Sequence, residues 1–137
     1  MILVIRIHGI VNMPESMEEI LFRLRLRRKY AAVLLKDTHG NRKTLQLLRN
    51  YIAYGNIDKS LLVKLIELRG KSLKGKLDAK KTAEELDKKE PEEIGLKPFF
   101  RLQPPRKGIE SKKHFGVGKG VLGDNKEKIN QLLERML

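Results

Sequence analysis

The chain has 137 residues, 30 Lys or Arg against 17 Asp or Glu, and a formal charge of +13. That length suits one domain, or one domain with an extension, around a modest core. With no cysteine and three isolated histidines, thiolate zinc sites, disulfides and a Cys nucleophile are excluded. The opening run "MILVIRIHGI" is apolar but short and interrupted by Arg6. It reads as neither a signal peptide nor a membrane span, so the chain is expected to be cytoplasmic. A charge excess of this size speaks to partners rather than fold, and nucleic acid is the first candidate.

In chain order, "ILVIRIH" (2–8) reads as a strand in which Leu3, Ile5 and Ile7 alternate with Arg6 and His8. Pro14 suits a first helical turn, and Ser16 and Glu19 have capping-box spacing. Met17, Ile20, Leu21 and Leu24 then follow helical spacing, and the helix ends in "RLRLRRKY" (23–30). "AAVLLKD" (31–37) is a second strand, "THGNR" a turn, "KTLQLLRN" (43–50) a two-turn helix and "YIAYG" (51–55) a third strand. Each helix has one apolar stripe, so both are expected on the same face of a three-stranded sheet, with the other face free.

Beyond this β-α-β-α-β core, assigned to residues 1–57, lies an extension, 58–137. Asp58 can cap a helix over 59–69, with Gly70 closing it. Residues 71–97 form a charged connector, with a short helix around Thr82 to Leu86. Residues 98–123 read as an extended basic loop and 125–136 as a final amphipathic helix.

The loop contains Gly118-x-Gly120-x-x-Gly123. A dinucleotide fingerprint needs a strand before it, a helix after it and an acid about 20 residues on. No convincing strand precedes, and the acid is absent, so nucleotide binding is not expected. Gly70-Lys71-Ser72 lacks the first glycine of a P-loop. Glu18-Glu19 and Glu92-Glu93 are helix neighbours about 100° apart and do not converge as a catalytic pair. No cofactor, metal or small-molecule substrate is implied.

The basic residues are more informative. Residues 1–55 hold ten cations and four acids, 56–97 eleven and nine, and 98–137 nine and four. The surplus therefore sits at the two ends of the chain. Arg23, Arg25, Arg27, Arg28 and Lys29 crowd one helix end, beyond what one helix dipole requires. Arg42, Lys43 and Arg49 follow with no acid nearby. The loop adds Arg101, Arg106, Lys107, Lys112, Lys113 and Lys119 against Glu110 alone. A loop of that composition is expected to order only against phosphates, with Phe115, Tyr51 or Tyr54 available to stack on a base.

"RIHGIVNMPESMEEILFRLRL", "AAVLLKDT", "LLRNYIAYGNI", "KPFFRLQPPRKG", "SKKHFGVGKGVLG" and "KINQLLERML" together resemble the large-subunit ribosomal protein thirty family, in its long archaeal form. The resemblance implies an α+β fold: a three-stranded antiparallel sheet, order 3-1-2, with helices packed on one face. It implies a non-catalytic structural constituent of the large ribosomal subunit, ribosome-bound in the cytoplasm. Its partners would be large-subunit ribosomal RNA, 5S ribosomal RNA near the extension, and neighbouring ribosomal proteins. The RNA-binding residues would be Arg6, His8 and Asn12 at the first strand and its turn, and Arg25, Arg27, Arg28 and Lys29 after the first helix. Arg42, Lys43 and Arg49 would act from the second helix, and Arg101, Arg106, Lys107, Lys112, Lys113, His114 and Lys119 from the loop. The sequence departs from the family pattern at His8, at His39 after Asp37-Thr38, at Tyr54, at Gln103 and Lys107 in "RLQPPRKG", and at Lys119-Gly120. The alternative is a free-standing RNA-binding accessory protein.

Overall fold

Strand β1 (Ile2–Arg6) is buried along its whole length, which requires cover on both of its faces. The computed structural model describes residues 1–9, 11, 13–70, 78–86, 88, 96–118 and 120–137. Strands β2 (Ala31–Leu35) and β3 (Ile52–Asn56) flank β1 antiparallel, with Val4 opposite both Val33 and Tyr54. β4 (Phe100–Arg101) pairs antiparallel with β2, setting Phe100 opposite Ala32. β6 (Gly120–Asp124) runs parallel to β3, with Ala53 opposite Gly123. β5 (Glu110–His114) lies outside β6, with an interrupted register that sets His114 opposite Leu122.

The sheet is therefore six-stranded and mixed, in the order β4-β2-β1-β3-β6-β5. This corrects the expected three-stranded antiparallel sheet. All three additional strands come from the stretch read as an extended loop, 98–123. That reading failed because β4 is two residues long and β6, "GVLGD", carries two glycines. Val121 and Leu122 are nonetheless buried, and burying two such side chains offsets a weak strand propensity.

The helices are α1 (Glu15–Arg23), α2 (His39–Leu47), α3 (Lys59–Arg69), α4 (Ala79–Leu86) and α5 (Ile129–Met136), the last preceded by a 3-10 turn, Lys126–Lys128. They do not share one face. Ile2 and Val4 pack with Leu21, Leu26, Leu45 and Leu48 beneath α1 and α2. Leu3, Ile5 and Ile7 pack with Leu62, Leu65, Leu86, Ile129 and Leu133 beneath α3, α4 and α5. The face expected to stay free is thus a second core. Each of these β1 side chains would cost roughly 1.5–3 kcal/mol if left in water.

α2 begins four residues before the expected start because Thr38 caps it. The Thr38 Oγ1 accepts from the Asn41 N–H at 3.2 Å, and the Asn41 side chain donates to the Lys36 carbonyl at 2.8 Å. A threonine at the N-cap converts "THGNR" from a turn into a first helical turn.

Two buried asparagines fasten the C-terminal helix. Asn125 donates to the Val121 and Gly123 carbonyls. Asn130 donates to the Asn56 carbonyl at 3.1 Å and accepts from the Asp58 N–H at 2.9 Å, joining the end of β3 to α5. The chain after β4 is tied to the same helix. Gln103 N–H donates to the Met136 carbonyl, Arg106 N–H to the Arg135 carbonyl, and the Arg135 side chain to the Arg106 and Gly108 carbonyls.

Gly55 shows how close this second layer sits. A Cβ there would collide with the Lys126 carbonyl and lie 2.9 Å from Ile129. Gly55→Ala is expected to destabilise the protein by about 1–3 kcal/mol through overpacking. Gly40→Ala, where a Cβ meets nothing within 4 Å, should be neutral or stabilising in its helix. Urea unfolding midpoints of the two variants check the contrast.

Candidate nucleic-acid interface

Arginine 6 points along β1 towards the α1–β2 loop and is only 2 % exposed. Its Nη1 donates to the Leu26 carbonyl at 2.6 Å, its Nε to the His8 carbonyl at 2.9 Å and its Nη2 to the Gly9 carbonyl at 3.3 Å. Burial lowers its pKa, and Glu18 opposes that shift. This guanidinium is taken up by backbone carbonyls, the Leu26 contact fully buried, and the structure does not offer it to a ligand. His8 is half-buried, with Nδ1 2.8 Å from the Gly9 carbonyl and its ring edge-on to Tyr51. Asn12 and Lys119 lie outside the described residues.

Most of the remaining candidates gather at the two edges of the sheet, and Arg42, Arg106 and Lys107 do not line either depression. On the β4 edge, Arg25, Arg27, Arg28 and Lys29 are exposed between α1 and β2. Arg25 and Tyr30 both take φ of 66°, a left-handed conformation that non-glycine residues avoid. Tyr30 N–H donates to the Arg6 carbonyl at 2.7 Å, which helps fix the second of these turns. The Arg27 guanidinium lies 4.2 Å from the centre of the Phe22 ring, and the Lys29 ammonium 5.1 Å from the Tyr30 ring. β4 brings Arg101 from far along the chain to Ala31. Arg25, Arg27, Arg28 and Arg101, with Lys97 and Phe99, line an open depression of about 620 Å³.

On the opposite edge, Lys43 and Arg49 from the α2 region meet His114 and Phe115 around a depression of about 920 Å³. Tyr54 and Asp124 also line it. Burial, and then the charge of Asp124, raise the Tyr54 pKa. Lys112, Lys113 and His114 are exposed along β5, the outermost strand, as charged residues on an edge strand usually are. Lys128 lies 5.6 Å from the centre of the Phe115 ring.

Arg42 departs from the expectation of a helix without an acid nearby. It pairs with Asp37 through two contacts, 2.5 and 2.8 Å, and this hydrogen-bonded pairing holds the Asp37 carboxyl below its ordinary range. The two residues are five apart, across the start of α2, a spacing that a helix-face count misses. Arg106 reaches back to the Glu134 carbonyl at 3.1 Å, near the C-terminal end of α5, where a cation is favoured. Lys107 follows with φ of 67°. Sequence reasoning missed Lys97, Phe99 and Lys128. Only tertiary contacts join them to the clusters, although the adjacent Lys97-Pro98-Phe99 and Arg101 gave a local hint.

The Gly118-x-Gly120-x-x-Gly123 stretch is preceded by a strand, β5, contrary to expectation. Its glycines nevertheless do not open a helix. Gly120 and Gly123 lie inside β6, and a Cβ on Gly120 would run into the backbone of Lys113 and His114. These glycines permit close strand packing and leave no phosphate cradle at a helix start. Among the described residues no group of three His, Cys, Asp or Glu could hold a metal ion, and no helix is long and apolar enough to cross a membrane.

Fold and surface together define a small basic α+β protein with a cationic, aromatic-bearing depression at each edge of one sheet. Residues 2–52 match the family model described as Ribosomal protein L30p/L7e. Over nearly its whole length the chain is similar to proteins named large ribosomal subunit protein uL30. That of Archaeoglobus fulgidus is 37% identical, with 99% of each chain covered. That of Methanobrevibacter smithii is 37% identical over 100% of each. That of Aeropyrum pernix is 36% identical over 98% of this chain and 97% of its own. The chain belongs to the uL30 family of large ribosomal subunit proteins. These alignments run to 152 positions or more where this chain has 137 residues, so the relatives carry residues that it lacks.

The assignment of Arg6 to the scaffold has a direct consequence. Arg6→Met, which keeps the length of the stem, removes the side-chain donor from the buried Leu26 carbonyl and from that of His8, and is expected to cost about 2 kcal/mol or more in stability. Urea unfolding checks this.

Proposed function

We propose that the chain is a non-catalytic structural constituent of the large ribosomal subunit that binds large-subunit ribosomal RNA through both edges of its sheet. Residues 1–57 act as the RNA-binding core and 58–137 as an extension lying near 5S ribosomal RNA, among neighbouring ribosomal proteins. The protein works ribosome-bound in the cytoplasm. The observation that carries this reading is the clustering of exposed Arg and Lys around aromatic rings at both edges. A protein of +13 has no internal reason to crowd its cations in this way, whereas phosphate groups supply one. In this reading Arg27, Arg28 and Arg101 make the directional, bidentate contacts on one edge, and Lys112 and Lys113 neutralise phosphates on the other. Arg42 contributes less, because Asp37 already engages it.

Binding should weaken steeply with salt, the log–log slope being roughly −0.7 to −0.9 per phosphate neutralised. Arg27→Ala with Arg28→Ala should flatten that slope by about 1.5, and Lys112→Ala with Lys113→Ala by a similar amount. A pair whose replacement leaves the slope unchanged removes its own edge from the interface. Co-sedimentation supplies the second readout: the protein should stay with large subunits at moderate salt. Release onto free RNA would favour an accessory role instead.

Arg25 separates binding from stability. Its φ of 66° costs about 1 kcal/mol for a residue with a Cβ. Arg25→Gly should therefore leave the melting temperature unchanged or raised, while RNA affinity falls. A lowered melting temperature would show that Arg25 is retained for the fold.

A further inference from the structure

Phe99 and Phe100 are adjacent, yet they serve opposite sides of the sheet, as neighbours along an extended segment must. Phe100 is buried in the core under α3, α4 and α5. Phe99 is half-buried, at the margin of the other core, and lines the 620 Å³ depression on the β4 edge. That volume falls within the range of small-molecule and nucleotide sites. Its charged walls are Arg25, Arg27, Arg28, Lys97 and Arg101, and no carboxylate lines it among the described residues.

The two aromatic–arginine pairs nearby differ in spacing. Arg27 sits 4.2 Å from the Phe22 ring centre, which is direct stacking, whereas Arg101 stands 5.8 Å from that of Phe99. Stacked bases rise about 3.4 Å per step. A base held between a ring and a guanidinium therefore needs about 7 Å, roughly 1 Å more than the 5.8 Å that separates the Arg101 guanidinium from the Phe99 ring centre. Arg101 is exposed, which leaves its side chain room to open that difference. Phosphate binding alone would use the cations and have no need of a half-open ring.

We infer that this depression takes a single unpaired base of RNA, stacked between the Phe99 ring and the Arg101 guanidinium, with the flanking phosphates on Arg27 and Arg28. The inference rests on the proposed binding of ribosomal RNA and specifies what one part of that interface reads. The left-handed turns at Arg25 and Tyr30 are consistent with it. They hold the arginine-bearing segment in one shape before any ligand arrives, at a local conformational cost.

The test uses the full-length protein and two short RNA duplexes. One carries a single bulged 2-aminopurine, and the other is the same duplex fully paired. The bulged duplex should bind about tenfold tighter, within the range that one base–aromatic stack supplies, and 2-aminopurine fluorescence should be quenched on binding. Phe99→Leu, which keeps apolar packing, should abolish both the preference and the quenching. Arg101→Lys, which keeps the charge and loses the plane, should reduce the preference severalfold, and it decides the matter if Phe99→Leu does not fold. Equal, salt-dependent binding of the two duplexes overturns the base pocket and leaves RNA binding standing. A bulge preference that survives Phe99→Leu in a folded protein also overturns it. Failure to bind either duplex at low salt removes the RNA reading, and the pocket with it.

Discussion

β1 is buried on both faces, and most of the architecture answers that single requirement. Its odd-numbered and even-numbered side chains belong to different cores. α1 and α2 can cover only one of them. A second layer must come from elsewhere, and the C-terminal 80 residues provide it as α3, α4 and α5. The same stretch also widens the sheet, adding β4 on one side and β6 and β5 on the other. Once both layers are in place, close approach becomes unavoidable. Lys126 and Ile129 sit directly over Gly55, and Asn130 stitches β3 to α5. The extension is therefore the other half of the hydrophobic structure and not a tail attached to a finished domain.

The amino-acid sequence contained the signal for this second core, in a form easy to misread. In "ILVIRI" the alternation of Leu3, Ile5 and Ile7 is visible, but so is the apolar character of Ile2 and Val4 between them. A near-continuous apolar run is what a strand buried on both faces requires, and a period-two reading sees only one of its two faces. The helix over 59–69 was legible from its apolar stripe between Asp58 and Gly70, although Asp58 makes no side-chain capping hydrogen bond. The start of α2 was not, since Thr38 as a cap outweighs Gly40 as a turn residue. β5 and β6 were hidden by lysines and glycines, whose weak strand propensity is overridden by the pairing of β6 with β3 and of β5 with β6, and by burial of Val121 and Leu122. The basic surface was readable as composition, but its division between two sheet edges is a product of topology.

Arg6 marks the limit of inferring a site from charge. In the sequence it looks like the other arginines near the N-terminus, and its place on a strand suggests an exposed basic face. Three carbonyl acceptors and near-complete burial give it a scaffold role instead. It also acts on the surface at one remove. Its side chain holds the Leu26 carbonyl, and its own carbonyl receives the Tyr30 N–H, so both ends of the arginine-bearing segment are anchored to β1. The exposed cations at Arg25, Arg27 and Arg28 are positioned by a buried one.

In the proposed function, this positioning changes how the energetics of RNA binding would be apportioned. A disordered basic arm must give up its conformational freedom when it meets RNA, and that loss lowers its affinity. Here Lys112, Lys113 and His114 already lie on a strand paired to β6, and Arg106 is already held against the end of α5. The strained turns at Arg25 and Lys107 fix further cations in place without glycine. Much of the ordering cost is thus met during folding, by the apolar burial of both cores. If the edges bind RNA as proposed, mutations in the second core would weaken that binding by loosening the edges on which the cations stand.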